Sequence, residues 1–135
     1  MAGPMSVFDI SGRAMQAQLV RLNTTASNLA NAGTVSTTRE GAYRAMRPVF
    51  MPQYGERAGT ATVRVDRIDN SQMEPVKRHD PNNPLADANG DIWEAGVDTA
   101  AELIDMVEAS RQYQNNVQVL QTAKSLTLDT LRLGQ

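Results

Sequence analysis

Apolar positions near the N terminus recur at alternating steps of four and three residues. The repeat runs through Phe8, Gly12, Met15, Leu19, Leu22, Ala26 and Leu29. This spacing is a heptad seam, and it predicts an amphipathic α-helix from about Ser6 to Asn31. Asn31 and Gly33 tolerate the left-handed conformation, so they predict where the helix ends. We assign residues 6–32 to this first helical segment.

A second seam of the same kind occupies the C-terminal part of the chain. It runs through Leu103, Met106, Ser110, Tyr113, Val117, Leu120, Lys124, Thr127 and Leu131. Thr99 and Glu102 have the spacing of a capping box and predict the start of this helix, and Gly134 predicts its end. A helix from Thr99 to about Leu133 would be roughly 50 Å long. A helix of that length in a small protein usually pairs with another helix.

The middle of the chain carries shorter patterns that are typical of β-strands. In "ATVRVDR", valines alternate with charged residues, which predicts a half-buried strand. The segments "YRAMRPVFM", "EPVKR" and "DIWEA" are shorter strand candidates. The dipeptide Asn89-Gly90 predicts a hairpin turn between "PLADA" and "DIWEA".

These elements together predict an α+β fold. The long N- and C-terminal helices, residues 6–32 and 96–135, are expected to pair as a coiled-coil-like unit. A flexible loop at residues 33–41 and a small central β unit at residues 42–95 are expected to connect them. One domain is sufficient for 135 residues.

Composition and charge exclude several classes of protein. The net charge is −2, so the chain lacks the basic field that binds nucleic acid. It contains no cysteine, which excludes disulfides and thiolate metal sites. No apolar run approaches the roughly 20 residues that span a bilayer. The N-terminal residues lack the basic and apolar regions of a secretory signal peptide, so we expect no cleaved signal.

The charged residues are distributed unevenly along the chain. Residues 6–35 carry three, residues 36–95 carry seventeen and residues 96–135 carry eight. The middle is therefore typical of a solvated surface, whereas the ends favour contact with a partner. Ser27, Asn28 and Asn31 allow two interpretations. They could cap the helix end and form a turn, or they could pack among helices of other subunits, where buried charge would be unfavourable.

Candidate chemistry is sparse. His79-Asp80 is the only pair that contains a histidine, and a metal or general-base site requires further convergent groups. The stretch "DANGD" at residues 87–91 lacks the glycine and glutamate positions of a calcium loop, so a turn is the better interpretation. We therefore predict no catalytic, cofactor or metal site.

The residue motifs resemble one known family. "ASNLANA", followed by "GAYRA", is similar to the N-terminal signature of bacterial flagellar rod and hook proteins. The tail from Val97 onwards and the segment "DPNNPLADANGDI" resemble the corresponding parts of a proximal rod protein of that family. The resemblance covers residues 6–135, and the four residues "MAGP" lie outside it.

The resemblance implies a structural, non-enzymatic subunit of the proximal rod of the flagellar basal body. Such a subunit would polymerise through its terminal helices into the torque-transmitting drive shaft in the periplasm. It would be exported by the flagellar type III apparatus without a cleaved signal peptide. The implied partners are other copies of the chain, other rod proteins and the export-gate base, with no cofactor, nucleic acid or direct membrane span.

Seam spacing and resemblance together predict an assembly interface. Its residues are Met15, Leu19, Leu22, Asn28, Leu29, Asn31, Leu103, Met106, Tyr113, Asn116, Val117, Leu120 and Leu131. One alternative is a stand-alone coiled-coil adaptor whose helices pair stably in solution. Another alternative is a small periplasmic hydrolase that uses His79, Asp80 and Asp87.

Overall fold

The computed structural model describes residues 6–56 and 59–134. The elements in chain order are α1 (Val7–Asn31), β1 (Val35–Ser36), β2 (Met46–Tyr54), β3 (Ala61–Asn70), β4 (Val76–His79), β5 (Asp91–Glu94) and α2 (Thr99–Leu133). Two long helices and a small β region confirm the predicted α+β class. The N-terminal "MAGP" and Gln135, the end of the predicted C-terminal segment, lie outside the described residues.

The start of α1 is fixed by a reciprocal cap. The Ser6 hydroxyl accepts a hydrogen bond from the Asp9 backbone N–H at 3.1 Å, and the Asp9 carboxylate accepts from the Ser6 N–H at 2.9 Å. These two bonds satisfy donors that the first helical turn cannot satisfy itself. The Ser6 N–H and, secondly, the Ser6 hydroxyl, which donates to the same carboxylate at 2.8 Å, hold the pKa of Asp9 below its ordinary value. The predicted start of the helix is confirmed.

The start of α2 differs from the predicted capping box. The capping side chain is Asp98, which accepts a hydrogen bond from the Ala101 N–H at 3.1 Å, and Thr99 is already helical. Aspartate is a better N-cap than threonine. Glu102 does not reach back to the cap, because its carboxylate is fully buried among other elements. The capping box of Thr99 and Glu102 is therefore wrong, although the predicted range of the helix is confirmed.

The two helices pack against each other and run antiparallel within one subunit. Arg21 contacts Asp105, Asn28 contacts Glu102, and Val7 lies in a depression that Ala123 also lines. Helix α2 has 35 residues and α1 has 25. The last turns of α2 therefore extend past the start of α1.

The predicted α1 seam is only partly directed towards α2. Met15, Leu22 and Leu29 are half-buried, whereas the other four members are exposed: Phe8, Gly12, Leu19 and Ala26. The most buried positions of α1 are instead small or polar: Ser11, Ala17, Thr24, Thr25 and Asn28. The reason is that α1 lies between α2 and the hairpin of β2 and β3, so two neighbours set its buried arc.

The α2 seam is directed inwards where α1 covers it. Met106, Ser110, Tyr113, Val117 and Leu120 are half-buried, and Ala109 beside them is fully buried. Its remaining members are exposed: Leu103 near the start of the helix, and Lys124, Thr127 and Leu131 towards its end.

The β region consists of two antiparallel sheets. Strands β2 and β3 form a hairpin with an irregularity between Val49 and Phe50, and this hairpin packs along α1. Strands β1, β5 and β4 form a second sheet in that order. The strand predicted from alternation and the three shorter strand candidates are confirmed as β3, β2, β4 and β5. Within the predicted flexible loop at 33–41, Val35 and Ser36 form β1 and pair with β5.

The predicted hairpin turn at Asn89-Gly90 is also wrong. Residues 84–88 form no strand, and β5 pairs with the earlier strand β4. Gly90 has a φ of +79°, and a Cβ there would lie 3.0 Å from the Pro81 side chain. The glycine therefore turns the chain into β5 at a point where a side chain would not fit.

The interior contains few large apolar side chains. The buried apolar residues are Ala17, Ala42, Ala45, Ile92, Ala95 and Ala109. The largest fully buried side chains are Ile92, Glu102, Asn28 and Thr25. Buried polar groups require partners, and both Asn28 and Glu102 have them in neighbouring elements.

Candidate assembly surfaces and the polar junction

Asn28 joins both helices to the first strand of the hairpin. Its amide nitrogen donates to the Met46 carbonyl at 2.9 Å and to Glu102 Oε2 at 3.0 Å. Its amide oxygen accepts from the Met46 N–H at 2.8 Å and from the Tyr43 hydroxyl at 2.9 Å. The side chain therefore pairs with both backbone groups of Met46 as a neighbouring strand would. All four of its hydrogen-bonding positions are satisfied.

Glu102 is the fully buried charge of this cluster. Arg47 Nη2 lies 2.5 Å from Glu102 Oε1, in an ion pair without a well-aligned hydrogen bond, and Arg47 Nη1 donates to Asp105 at 3.0 Å. Arg21 of α1 donates to Asp105 at 3.0 Å and to Glu108 at 3.4 Å. We call Arg21, Asn28, Arg47, Glu102 and Asp105 the polar junction. It compensates a buried carboxylate with one amide and one guanidinium.

The structure gives Ser27, Asn28 and Asn31 roles inside the subunit. The Ser27 hydroxyl lies 3.3 Å from the Tyr43 hydroxyl, and the Asn31 amide donates to the Ser27 carbonyl at 2.8 Å. Local bonding near the helix end therefore accounts for Asn31. Asn28 instead takes part in long-range packing within the subunit, which neither sequence interpretation anticipated.

One arc of α1 is exposed and carries no charge. It follows steps of three and four residues through Phe8, Gly12, Gln16, Leu19, Asn23, Ala26 and Ala30. Phe8 and Leu19 are 45% and 44% exposed, which is high for large apolar side chains. Gly12, Ala26 and Ala30 have little or no side chain, so another helix could approach this arc closely. We call these seven residues the α1 outer face.

Helix α2 has two exposed apolar patches that α1 does not cover, and Arg111 and Asn115 separate them on the same face. Ile104, Val107, Val119 and Leu126 are all about half exposed or more. They line two shallow depressions. One is lined by Leu103, Ile104, Val107, Glu108 and Arg111, and the other by Val7, Asn115, Gln118, Val119, Thr122, Ala123 and Leu126. We call Ile104, Val107, Val119, Thr122 and Leu126 the α2 outer stripe.

The predicted interface residues fall into three groups. Leu19, Leu103 and Leu131 are exposed, and Asn28 is fully buried. The other nine are half-buried: Met15, Leu22, Leu29, Asn31, Met106, Tyr113, Asn116, Val117 and Leu120. Their participation in assembly stays a prediction.

The sequence did not reveal the roles of Arg21, Arg47 and Asp105 in the polar junction. Glu102 was detectable as an acid beside an apolar seam.

His79 belongs to a surface ion-pair cluster on the second sheet. His79 Nδ1 lies 2.9 Å from Asp91 Oδ1, and Lys77 Nζ lies 2.6 Å from Asp91 Oδ2. Lys77, together with His79, holds the pKa of Asp91 below its ordinary value. Asp87 accepts from the backbone N–H groups of Asn89 and Asp91. Each of these contacts is accounted for by surface pairing and turn formation.

Within residues 6–56 and 59–134, no group of three or more histidine, aspartate or glutamate side chains is placed to hold a metal ion. Neither helix in that part of the chain has the length and apolar character that crossing a membrane requires.

Comparison with known proteins identifies relatives along nearly the whole chain. Residues 8–35 match the family described as flagella basal body rod protein, and residues 88–133 match the flagellar basal body rod FlgEFG protein C-terminal family. The flagellar basal-body rod protein FlgC of Salmonella typhimurium (strain LT2) is 44% identical over 131 residues, covering 97% of this chain and 98% of the relative. FlgC of Escherichia coli O6:H1 matches to the same extent.

A more distant relative agrees. FlgC of Buchnera aphidicola subsp. Schizaphis graminum is 37% identical over 135 residues, again covering 97% of this chain. These alignments include α1, the β region and α2, so the similarity is not confined to one short motif. The chain belongs to the FlgC family of flagellar basal-body rod proteins.

Proposed function

We propose that this chain is a structural subunit of the flagellar basal-body rod that polymerises through the outer surfaces of its terminal helices. The observation that carries the proposal is the combination of the uncharged α1 outer face with the apolar α2 outer stripe. Exposed apolar faces of this kind mark protein contacts. Family membership supports a structural role and does not favour catalysis or a stand-alone adaptor.

The two surfaces lie on different helices of the same subunit. A contact between the α1 outer face of one subunit and the α2 outer stripe of another would therefore join two different surfaces. Contacts of that type build rings or open helical filaments rather than closed dimers. Helical growth matches the requirement of a rod, in which torque passes from subunit to subunit.

The finer assignments follow from the family resemblance. The contacted subunits would be other copies of this chain, other rod proteins and the export-gate base. The assembled rod would lie in the periplasm, after export by the flagellar type III apparatus without a cleaved signal peptide. The small charge of residues 6–35 supports burial of that segment in an assembly, because isolated charges are unfavourable in a buried interface.

A matched pair of leucines tests the proposal. Leu19 on α1 and Leu85 in the β region are both 44% exposed. In cells lacking the natural protein, the Leu19→Asp variant should fail to restore swimming and should be absent from purified basal bodies. The Leu85→Asp variant should restore both. Circular dichroism of the purified variants should show unchanged helix content, so that loss of folding is excluded.

Incorporation of the folded Leu19→Asp variant at the normal level would contradict the proposal, because it would show that the α1 outer face does not carry assembly. A combined substitution, Ile104→Asp with Leu126→Asp, then tests the α2 outer stripe in the same cells.

A further inference from the structure

Apolar packing alone specifies the register of the two helices poorly. On α2, the inward residues Met106, Tyr113 and Leu120 follow one another at intervals of seven. On α1, the half-buried residues Met15, Leu22 and Leu29 also follow one another at intervals of seven. A slip by one heptad would therefore replace one apolar or small contact with a similar one. Repeating seams of this kind need an additional feature to select one alignment.

The polar junction does not repeat along the helices. One heptad after Glu102 the residue is Ala109, and two heptads after it the residue is Asn116. A slip in one direction would place Ala109 opposite Asn28 and would separate Glu102 from its amide partner. A slip in the other direction would move Asn28 past Thr99, where α2 begins. Either slip leaves a buried polar group without its partner, which is unfavourable.

The junction also requires strand β2. Both backbone groups of Met46 bond to the Asn28 amide, and Arg47, the next residue, reaches Glu102 and Asp105. Without β2 in place, the buried Glu102 carboxylate would retain only one amide donor from Asn28. A buried charge with so little compensation opposes pairing of the helices.

We propose that Asn28 and Glu102 set the register of α1 against α2, and that this pairing is completed only when β2 supplies Met46 and Arg47. They act as specificity-determining residues for the folded subunit. The apolar seams provide attraction, and the polar junction selects the alignment. This inference concerns the single subunit and does not depend on the assembly proposed above.

The absence of cysteine from the chain allows a direct test of register. Val7→Cys with Ala123→Cys reports the native alignment, because both residues line one depression. Val7→Cys with Asn116→Cys, and Val7→Cys with Thr130→Cys, report slips of one heptad in the two directions. Disulfide formation requires close and well-oriented cysteines, so each pair reports mainly its own register. The yield of each cross-link is measured after mild oxidation of the purified full-length chain.

Asn28→Asp is the isosteric test variant. It places a second carboxylate where Glu102 now receives an amide N–H at 3.0 Å. The ratio of native to slipped cross-links should fall by roughly tenfold or more, as the loss of one hydrogen bond to a charged group predicts. Asn23→Asp, on the exposed side of the same helix, should leave the ratio unchanged. An unchanged ratio in Asn28→Asp would overturn the proposal.

A second variant decides the matter if Asn28→Asp does not fold. Glu102→Leu removes the buried carboxylate, keeps an apolar interface and leaves the bonds of Asn28 to Met46 and Tyr43 in place. This variant should remain helical, and it should give native and slipped cross-links together. Native cross-links alone would show that packing sets the register. Loss of folding would show that Glu102 serves stability instead, and either result would overturn the proposal.

Discussion

The two ends of the helix pair are built on different principles. At the junction end, where residues 21–31 of α1 meet residues 99–109 of α2, the interface contains a buried carboxylate and a fully bonded amide. At the far end, where the start of α1 lies beside residues 119–126, the surface is apolar and open. Among the described residues, every side-chain hydrogen bond or ion pair between the helices lies at the junction end.

This difference separates two tasks that a polymerising subunit has. Directional bonds at the junction end fix the arrangement of the subunit itself. Non-directional apolar surface at the far end remains available to other molecules. The difference predicts that substitutions in the polar junction lower the free energy of unfolding, whereas substitutions of exposed apolar residues at the far end and on the two outer surfaces affect assembly.

Asn28→Ala should cause the largest loss of stability. It leaves both backbone groups of Met46, the Tyr43 hydroxyl and Glu102 without their amide partner. The free energy of unfolding should fall by about 3 kcal/mol or more, since each unsatisfied buried group costs about 1–3 kcal/mol. Urea denaturation of the purified chain measures the change. Asn23→Ala is the matched control, and a loss similar in both variants would contradict the special role of the junction.

Gly96→Ala should cause the next largest loss. Gly96 hydrogen-bonds with both Tyr43 and Ala45 beside the junction, and an added Cβ would lie 2.6 Å from the Met73 carbonyl oxygen. Because backbone would have to move, the cost should be about 1–3 kcal/mol. Gly33→Ala is the control, since nothing lies within 4 Å of its added Cβ. Equal thermal midpoints for the two variants would show that the contact at Gly96 is not restrictive.

Asp91 is a partly exposed charge, in contrast to the fully buried Glu102. Lys77 first, and His79 second, lower the pKa of Asp91 below its ordinary value of 3.8. Because the folded pKa is the lower one, the stabilisation is present above the unfolded pKa and is lost as the pH falls through the folded pKa. The stability difference between the natural chain and Asp91→Asn should therefore be larger at about pH 5 than at about pH 2.5. Denaturant titrations at both pH values test this sign, and a difference that grows on acidification would refute it.

Leu131→Ser should have the smallest effect on stability. Leu131 is 64% exposed near the end of α2, so the free energy of unfolding should change by no more than about 0.5 kcal/mol. Incorporation into basal bodies should nevertheless fall, because the apolar far end is proposed as contact surface. Leu85→Ser is the control for incorporation. A marked fall in the stability of the isolated Leu131→Ser variant would mean that this end is packed within the subunit.

Local sequence signals were sufficient for most of the secondary structure. The apolar spacing and the stop residues Asn31 and Gly33 located α1 to within a residue. Alternation of valine with charged residues located β3. The two-residue strand β1 was too short to produce a pattern. The partner of β5 was assigned wrongly, because the Asn89-Gly90 dipeptide favours a local turn whereas the actual pairing skips residues 80–90.

The proposed assembly surfaces could be predicted less completely than the helices that carry them. The spacing identified Leu19, Leu103 and Leu131, which are exposed, among the candidate assembly residues. The spacing could not distinguish these exposed residues from the buried Asn28, because exposed and buried positions occur within the same helical segments. Long-range contacts, such as that between Arg47 and Glu102, leave no periodic signal in the chain.

The sequence by itself determined which segments are helical, where they begin and end, and how little charge the first helix carries. These properties depend on neighbours within a few residues, such as caps and i to i+4 spacing. Only the tertiary structure decided which arc of α1 is buried and where Glu102 finds its partners. The reason is that α1 packs against two neighbours, α2 and the β2–β3 hairpin. Contacts between residues distant in sequence set where each neighbour lies around α1, and therefore which side of α1 is buried.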